Sequence, residues 1–587
     1  MAERVIILHE GCLAERERRL GRILDFFGVP WSFVNSSNLQ SSSDDYQECT
    51  AFGEVRTISA ALRAAPSNSS TARRFASVYS YLGDDRQADE VALRSLPYLK
   101  DVSLRPAPRE VVPAAVIRHS SISGPMSGLQ VDLQLGDGDC LLSGVTPAED
   151  AECLPILRAA GFPVFLKLRV QGTDVFVCSS SRMIDLDAPM DSKFYDVKDH
   201  FCAAVPLVLF VRSRFPKAAW HAQELGACLI IDDPLLKSRY GFCDFPKLQS
   251  LMKGHGFSTN ISFIPWNWRR TSSSAAEFFK SQSEYFSVSI HGCDHTNREF
   301  GADAPEALDA RARLALSRMQ NHEARTGIHH EPVMVFPQGV FSSQCPEVLK
   351  RNGFLAAVNT ETQPVDSQIP RTQLRDVWDV AITRYGGFPV FTRRYAFHGL
   401  ENFAFDLLLG KPCLIVSHHD FFKDGGTGLI GLIEGLHSLN CRLRWSSLGE
   451  VVRRACRRRA TSANSEEILM YGTELSVENR SDRLLHVKLR KREPRRDAIA
   501  QVLLDGKPVV WTVDGDAIVF DASMAAGSQA QFKVLYNNQH NSAAMPTSLR
   551  YRASVALRRI LSEVRDDYLS RSRLLTDSIF KLRGMLR

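Results

Sequence analysis

The 587-residue chain has thirteen cysteines, an odd number, and no Cys-x-x-Cys pair. Cysteines scattered singly argue against a disulfide framework or a zinc knuckle, and they suit a reducing compartment. Long apolar runs are also missing. The longest stretch, Phe201–Val211, falls far short of the roughly 20 residues a spanning helix needs. The first residues, Met1-Ala-Glu-Arg-Val-Ile-Ile-Leu-His-Glu, put charge where a signal peptide needs its apolar region. A cytoplasmic protein without a membrane span is therefore expected. Charge of one sign is scarce: 72 Lys and Arg against 66 Asp and Glu leave a net +6, which calls for no polyanionic partner. Residues 1 to about 110 contain no Gly-x-Gly-x-x-Gly and no phosphate loop, so a nucleotide role has nothing to rest on.

What is present reads as several α/β and β units, since the length exceeds one ordinary core. Val5–Leu8, a helical spacing through Leu13, Leu20, Ile23, Leu24 and Phe27, and then Trp31–Val34 make a βαβ opening. Residues 1–110 are thus expected to form a doubly wound α/β domain. Short strand-like runs at Leu129–Leu135, Cys140–Val145 and Val175–Cys178 suggest a β-rich extension over 111–205. Across 215–456, apolar runs at 227–231, 286–290, 333–336, 355–358, 377–382 and 413–417 alternate with helical patterns, the clearest at 304–325. That alternation predicts a (β/α) barrel. Val451–Ala460, rich in arginine, reads as a linker. Residues 465–540 alternate with period two and predict a small β-sandwich; 547–587 predict a basic amphipathic helix.

Chemistry gathers where the barrel runs end. Ala227–Ile231 is followed by Asp232-Asp233-Pro234, and Val288–Ile290 by His291-Gly-Cys-Asp-His295. Two adjacent carboxylates can divide labour, one on a metal and one free to take a proton from water. The bland alternative, a strand end with an Asx turn before proline, is favoured for Asp232-Asp233 taken alone. Two imidazoles four residues apart can share an ion, although Gly292 replaces the Glu of His-Glu-x-x-His proteases. A lone pair of histidines is more often structural, but the preceding strand and the upstream acids reverse that weighting. His418-His419-Asp420 follows the run Cys413–Ser417, and either histidine could act as general acid or simply sit satisfied at a strand end. Trp266, Asn267 and Arg269 offer stacking and hydrogen bonding to sugars, or a buried aromatic plug with equal weight.

Together these motifs resemble the polysaccharide deacetylase (NodB-homology) family, over about 215–450 only. The resemblance implies a distorted barrel and one divalent metal, zinc first, with cobalt, nickel or manganese as alternatives. Asp232 is then similar to the family's base, and Asp233, His291 and His295 to its metal triad. Phe336-Pro337-Gln338-Gly339 is similar to its third motif, which places Pro337 and Gln338 at the substrate. The arginine that orients the base is missing, with Val335 near its place; Arg384 is the candidate substitute. Asp376 or Asp379 resembles the acid that tunes the histidine, for which His418 is preferred over His419.

The expected function is metal-dependent removal of acetyl groups from a polysaccharide or its precursor. Two rivals stand beside it: an inactive glycan-binding or assembly protein that keeps the barrel, and an amide hydrolase acting on a non-sugar substrate. The expected partner is the glycan, not nucleic acid. For 547–587, self-docking or oligomerisation is the default, with peripheral contact to an anionic membrane as the alternative.

Overall fold

A computed structural model describes residues 4–41, 46–63, 75–119, 121–146, 152–301, 304–366, 370–537 and 548–567. Near the N-terminus, Val5–His9, Trp31–Asn35, Thr50–Glu54 and Ser77–Tyr81 pair in parallel with Val5–His9 inside, the order of a doubly wound sheet. The sheet does not stop there. Thr173–Cys178 adds to Ser77–Tyr81 in parallel, and Phe162–Val170, Cys153–Ala159, Val112–Val116 and Gln130–Leu133 follow antiparallel. Most of the expected β-rich extension is therefore the far half of one nine-stranded sheet, while Cys140–Ser143 pairs with Ser103–Pro106 in a separate two-stranded sheet.

The apolar stretch from Phe201 becomes the helix Phe201–Arg214, buried along most of its length. A helix apolar all round belongs inside a protein, and this one joins the sheet to the barrel. Phe210 packs on Phe52, Tyr79 and Phe176 of the sheet. Two residues on, Arg212 donates to the carbonyls of Leu408 and Leu409, 2.8 and 2.6 Å away.

The barrel wall is a parallel path through Val390–Thr392, Ala356–Asn359, Val333–Val335, Phe286–His291, Thr259–Phe263, Leu225–Asp232, Cys413–Ser417 and Arg394–Tyr395. Strands covered on both faces are buried throughout, which explains the unbroken apolar runs. The two ends of the path are separated in sequence by Arg393 alone, so the wall is nearly closed. One expected strand is absent: the 377–382 run begins in the short helix Leu374–Trp378 and continues as irregular chain. Its apolar residues are buried by packing, with only a single bridge, Ile382 to Val390, in place of a sheet ladder.

The arginine-rich stretch is not a linker either. It comprises the end of the helix Leu448–Arg454 and the strand Cys456–Ser462, whose Arg458 and Arg459 pair with Glu466 and Glu467. That strand belongs to a six-stranded sheet facing a four-stranded one, with their own core around Ile468, Leu489, Phe520 and Phe532. The helix Leu549–Asp567 then returns to the barrel. No described helix is long and apolar enough to cross a membrane.

Candidate metal centre

In a parallel barrel every strand ends at the same rim, so residues just past several apolar runs meet there. Asp232 closes the strand Leu225–Asp232, and His291 closes Phe286–His291. The structure brings Asp233, His291 and His295 together: one donor atom of each lies within 4.8 Å of the others. Asp233 Oδ1 is 3.4 Å from His291 Nε2 and 3.0 Å from His295 Nε2. The His291 Nδ1 lies 3.0 Å from the Val335 carbonyl. A carbonyl accepts from Nδ1–H, which leaves Nε2 as the lone-pair nitrogen facing inward. One carboxylate and two imidazoles with open space beside them is a donor set suited to a divalent ion.

Holding these groups strains the chain. Asp233, His295 and Gln338 have φ of 79°, 54° and 59°, a region that non-glycine residues seldom adopt. Such conformations concentrate at functional sites, where the surroundings enforce them. For His295 the enforcer is Glu299, whose carboxylate accepts from the backbone N–H groups of Cys293, Asp294, His295 and Thr296 at 2.8–3.3 Å. A Cβ at Gly292 (φ 65°) would meet Glu299 Oε1 at 2.0 Å and Pro337 Cγ at 2.4 Å. The glycine between the two histidines is thus required by this turn.

Asp232 is gripped by Arg393, whose Nη1 and Nη2 donate to Oδ1 and Oδ2 at 2.8 and 2.6 Å. Both side chains are about 4 % exposed. Burial pushes the Asp232 carboxyl up, but Arg393 and then His291 outweigh it and hold the group below the ordinary carboxylate range. The same contest lowers Asp233 strongly, through His295 and the hydrogen bonds to both histidines. Burial pushes His291 down, while Asp232 and Asp233 raise it above its usual value.

These groups line one cavity of about 170 Å³ together with Gln338, Gly339, Thr360, Glu361, Tyr395 and His418. Its size is below the roughly 300 Å³ typical of ligand pockets, so it suits one small group of a larger molecule lying across the mouth. His418 faces in; His419 instead stacks beside Phe242 and lies 3.3 Å from Asp566.

Other expectations are not met. Arg384 is not beside the base: its Nη1 donates to Asp376 Oδ2 at 2.6 Å and to the Arg371 carbonyl. Asp379 pairs with Tyr471 and Arg457, so neither acid tunes a histidine. Pro337 is buried against the Gly292 turn and does not line the cavity. Trp266, Asn267 and Arg269 do not line it either; Trp266 lies under Arg318, Asn267 is buried, and Arg269 stacks on Trp268. Arg393 and Glu299 had no signature in the sequence beyond an arginine at a strand end and an acid near a turn.

No family model matches the sequence, and no curated protein matches it. Solved structures do. The carbohydrate deacetylase Agd3 is similar over 91 % of this chain and 98 % of its own, at 9 % identity and a TM-score of 0.47. The chitin deacetylase of the fungus Colletotrichum lindemuthianum covers 39 % of this chain and 89 % of its own, at 14 % identity and a TM-score of 0.26. A family 4 carbohydrate esterase from Streptomyces lividans covers 36 % and 85 %, at 14 % identity and a TM-score of 0.21.

Proposed function

We propose that the barrel is a divalent-metal-dependent hydrolase that removes acetyl groups from a glycan or glycan precursor. The observation that carries the reading is the convergence of Asp233, His291 and His295 beside an Asp232 clamped by Arg393, in one small cavity. A bound ion, held by the three inward donors, would polarise the acetyl carbonyl and acidify water. Asp232, kept ionised by the guanidinium, accepts the proton of the attacking water. His418, on the same cavity wall, donates a proton to the departing amine or alkoxide. Gln338 and Tyr395 flank the space and orient the acetyl arm, while the sugar stays outside the mouth.

The test is acetate release from N- and O-acetylated glycans by the parent chain and by Asp232→Asn, with bound metal measured in both. Release that disappears in Asp232→Asn while metal stays supports the assignment. Equal release from the two proteins would sink it, and glycan binding without any release would make the protein a binder instead.

A further inference from the structure

The helix Leu549–Asp567 is mounted the wrong way round for a helix docked on its own protein. An amphipathic helix ordinarily buries its apolar stripe. Here the face through Tyr551, Val555, Arg559, Glu563 and Asp566 turns to the barrel rim, and it is mainly polar. Tyr551 Oη donates to Asp294 Oδ2 at 2.7 Å, Glu563 pairs with Lys237 and Arg270, and Asp566 accepts from Tyr240 Oη at 2.8 Å. Asp567 Oδ1 takes the Gly241 N–H at 2.6 Å. The apolar stripe points away. Leu557, Ile560, Leu561 and Val564, at helical spacing, are 59, 53, 58 and 39 % exposed, and Leu549 is 82 % exposed.

The charge around that stripe narrows what covers it. Arg550 and Arg552 are exposed at its start. From 548 to 587 there are ten Lys and Arg against four Asp and Glu, so these forty residues hold the chain's whole excess of +6. A second copy laid on the stripe would set arginine against arginine. Residues 568–587, with Arg571, Arg573, Lys581, Arg583 and Arg587 against Asp577, carry the same net sign, so their charge is no complement to it. Nucleic acid would meet the charge but has no use for five exposed aliphatic side chains. Aliphatic residues flanked by arginine match an anionic lipid surface, whose headgroups attract the cations while the boundary with the acyl chains takes the stripe.

We propose that the outward face of helix Leu549–Asp567 docks on an anionic membrane surface and sets the mouth of the metal centre beside the lipid. The contacts that hold the inner face next to the site fix that geometry: Arg559 Nη2 lies 3.5 Å from His295 Nδ1, and Asp566 lies beside His419. Glycans tethered to, or made at, such a surface are then within reach, a consequence that rests on the deacetylase reading.

The test is co-sedimentation of the full chain with vesicles of phosphatidylcholine alone and of phosphatidylcholine with phosphatidylglycerol, at low and high salt, which needs no turnover. Binding is expected to the anionic vesicles only, weakened by salt. It should fall on the order of tenfold or more in Leu557→Glu/Leu561→Glu. Those side chains face away from the site, so circular dichroism and acetate release should be unchanged. No binding to anionic vesicles, or binding unaltered in the double variant, overturns the proposal. So does concentration-dependent dimerisation in sedimentation velocity that the same variant abolishes, since a second copy would then own the stripe.

Discussion

Asp232 and Arg393 are 161 positions apart yet form one buried, two-toothed ion pair. Removing one partner of such a pair typically costs about 3–5 kcal/mol, because the remaining charge stays buried and alone. Arg393→Ala is therefore expected to lower thermal stability and to cut acetate release by on the order of a hundredfold or more. Arg384→Ala, which breaks only a half-buried pair with Asp376, should leave turnover near the parent level. Comparable losses in both variants would remove Arg393 from its special place. Asp233→Asn should separate the two neighbouring acids by losing bound metal in a titration, whereas Asp232→Asn retains it. The triad residues were legible because strand ends and a His-x-x-x-His spacing are local patterns. Arg393 was not, since arginines recur throughout this chain and only the three-dimensional path singles one out.

Among the elements, the helix Pro305–Thr326 was read almost to the residue, its spacing unbroken by glycine or proline within. Its His322 is fully buried against Phe263, with Nε2 2.9 Å from Thr271 Oγ1. Burial, then Arg325, depresses its pKa from 6.5 to about 4. The sign follows from linkage: below about pH 6.5 the unfolded chain takes up a proton that the native chain refuses. This contribution is intact above pH 6.5 and erodes as pH falls towards 4, by on the order of 1 kcal/mol per pH unit. Denaturant melts of the parent and His322→Gln across that window should show a shallower acid slope in the variant. Parallel slopes would mean that His322 takes up its proton equally in the folded and unfolded chain. The elements misread were those where composition misled: the apolar 377–382 run lies buried in irregular chain, and Arg458 and Arg459 are satisfied by facing glutamates while Arg457 pairs with Asp379, as solvated linker residues would not be.

At the scale of the whole molecule, one continuous core runs from the N-terminal sheet through helix Phe201–Arg214 into the barrel, while the sandwich keeps its own. No local pattern could announce that 111–205 completes a sheet begun a hundred residues earlier, because the joining pair Ser77–Tyr81 and Thr173–Cys178 is long-range. Sandwich and barrel are tied by Lys350 and Glu493, both fully buried and 2.6 Å apart, with Tyr536 Oη also donating to the acid at 2.7 Å. Lys350→Met is expected to lower stability by about 3 kcal/mol, and Lys350→Met/Glu493→Leu to recover part of that loss. Calorimetry decides, and a double variant worse than the single one would refute the pairing argument. A last consequence belongs to the seam. The single residue between Val390–Thr392 and Arg394–Tyr395, where the cylinder's two edges come round to each other, is also the one that grips Asp232. Closing the wall and forming this ion pair are therefore one structural event: were the seam open, the acid would be left without its guanidinium.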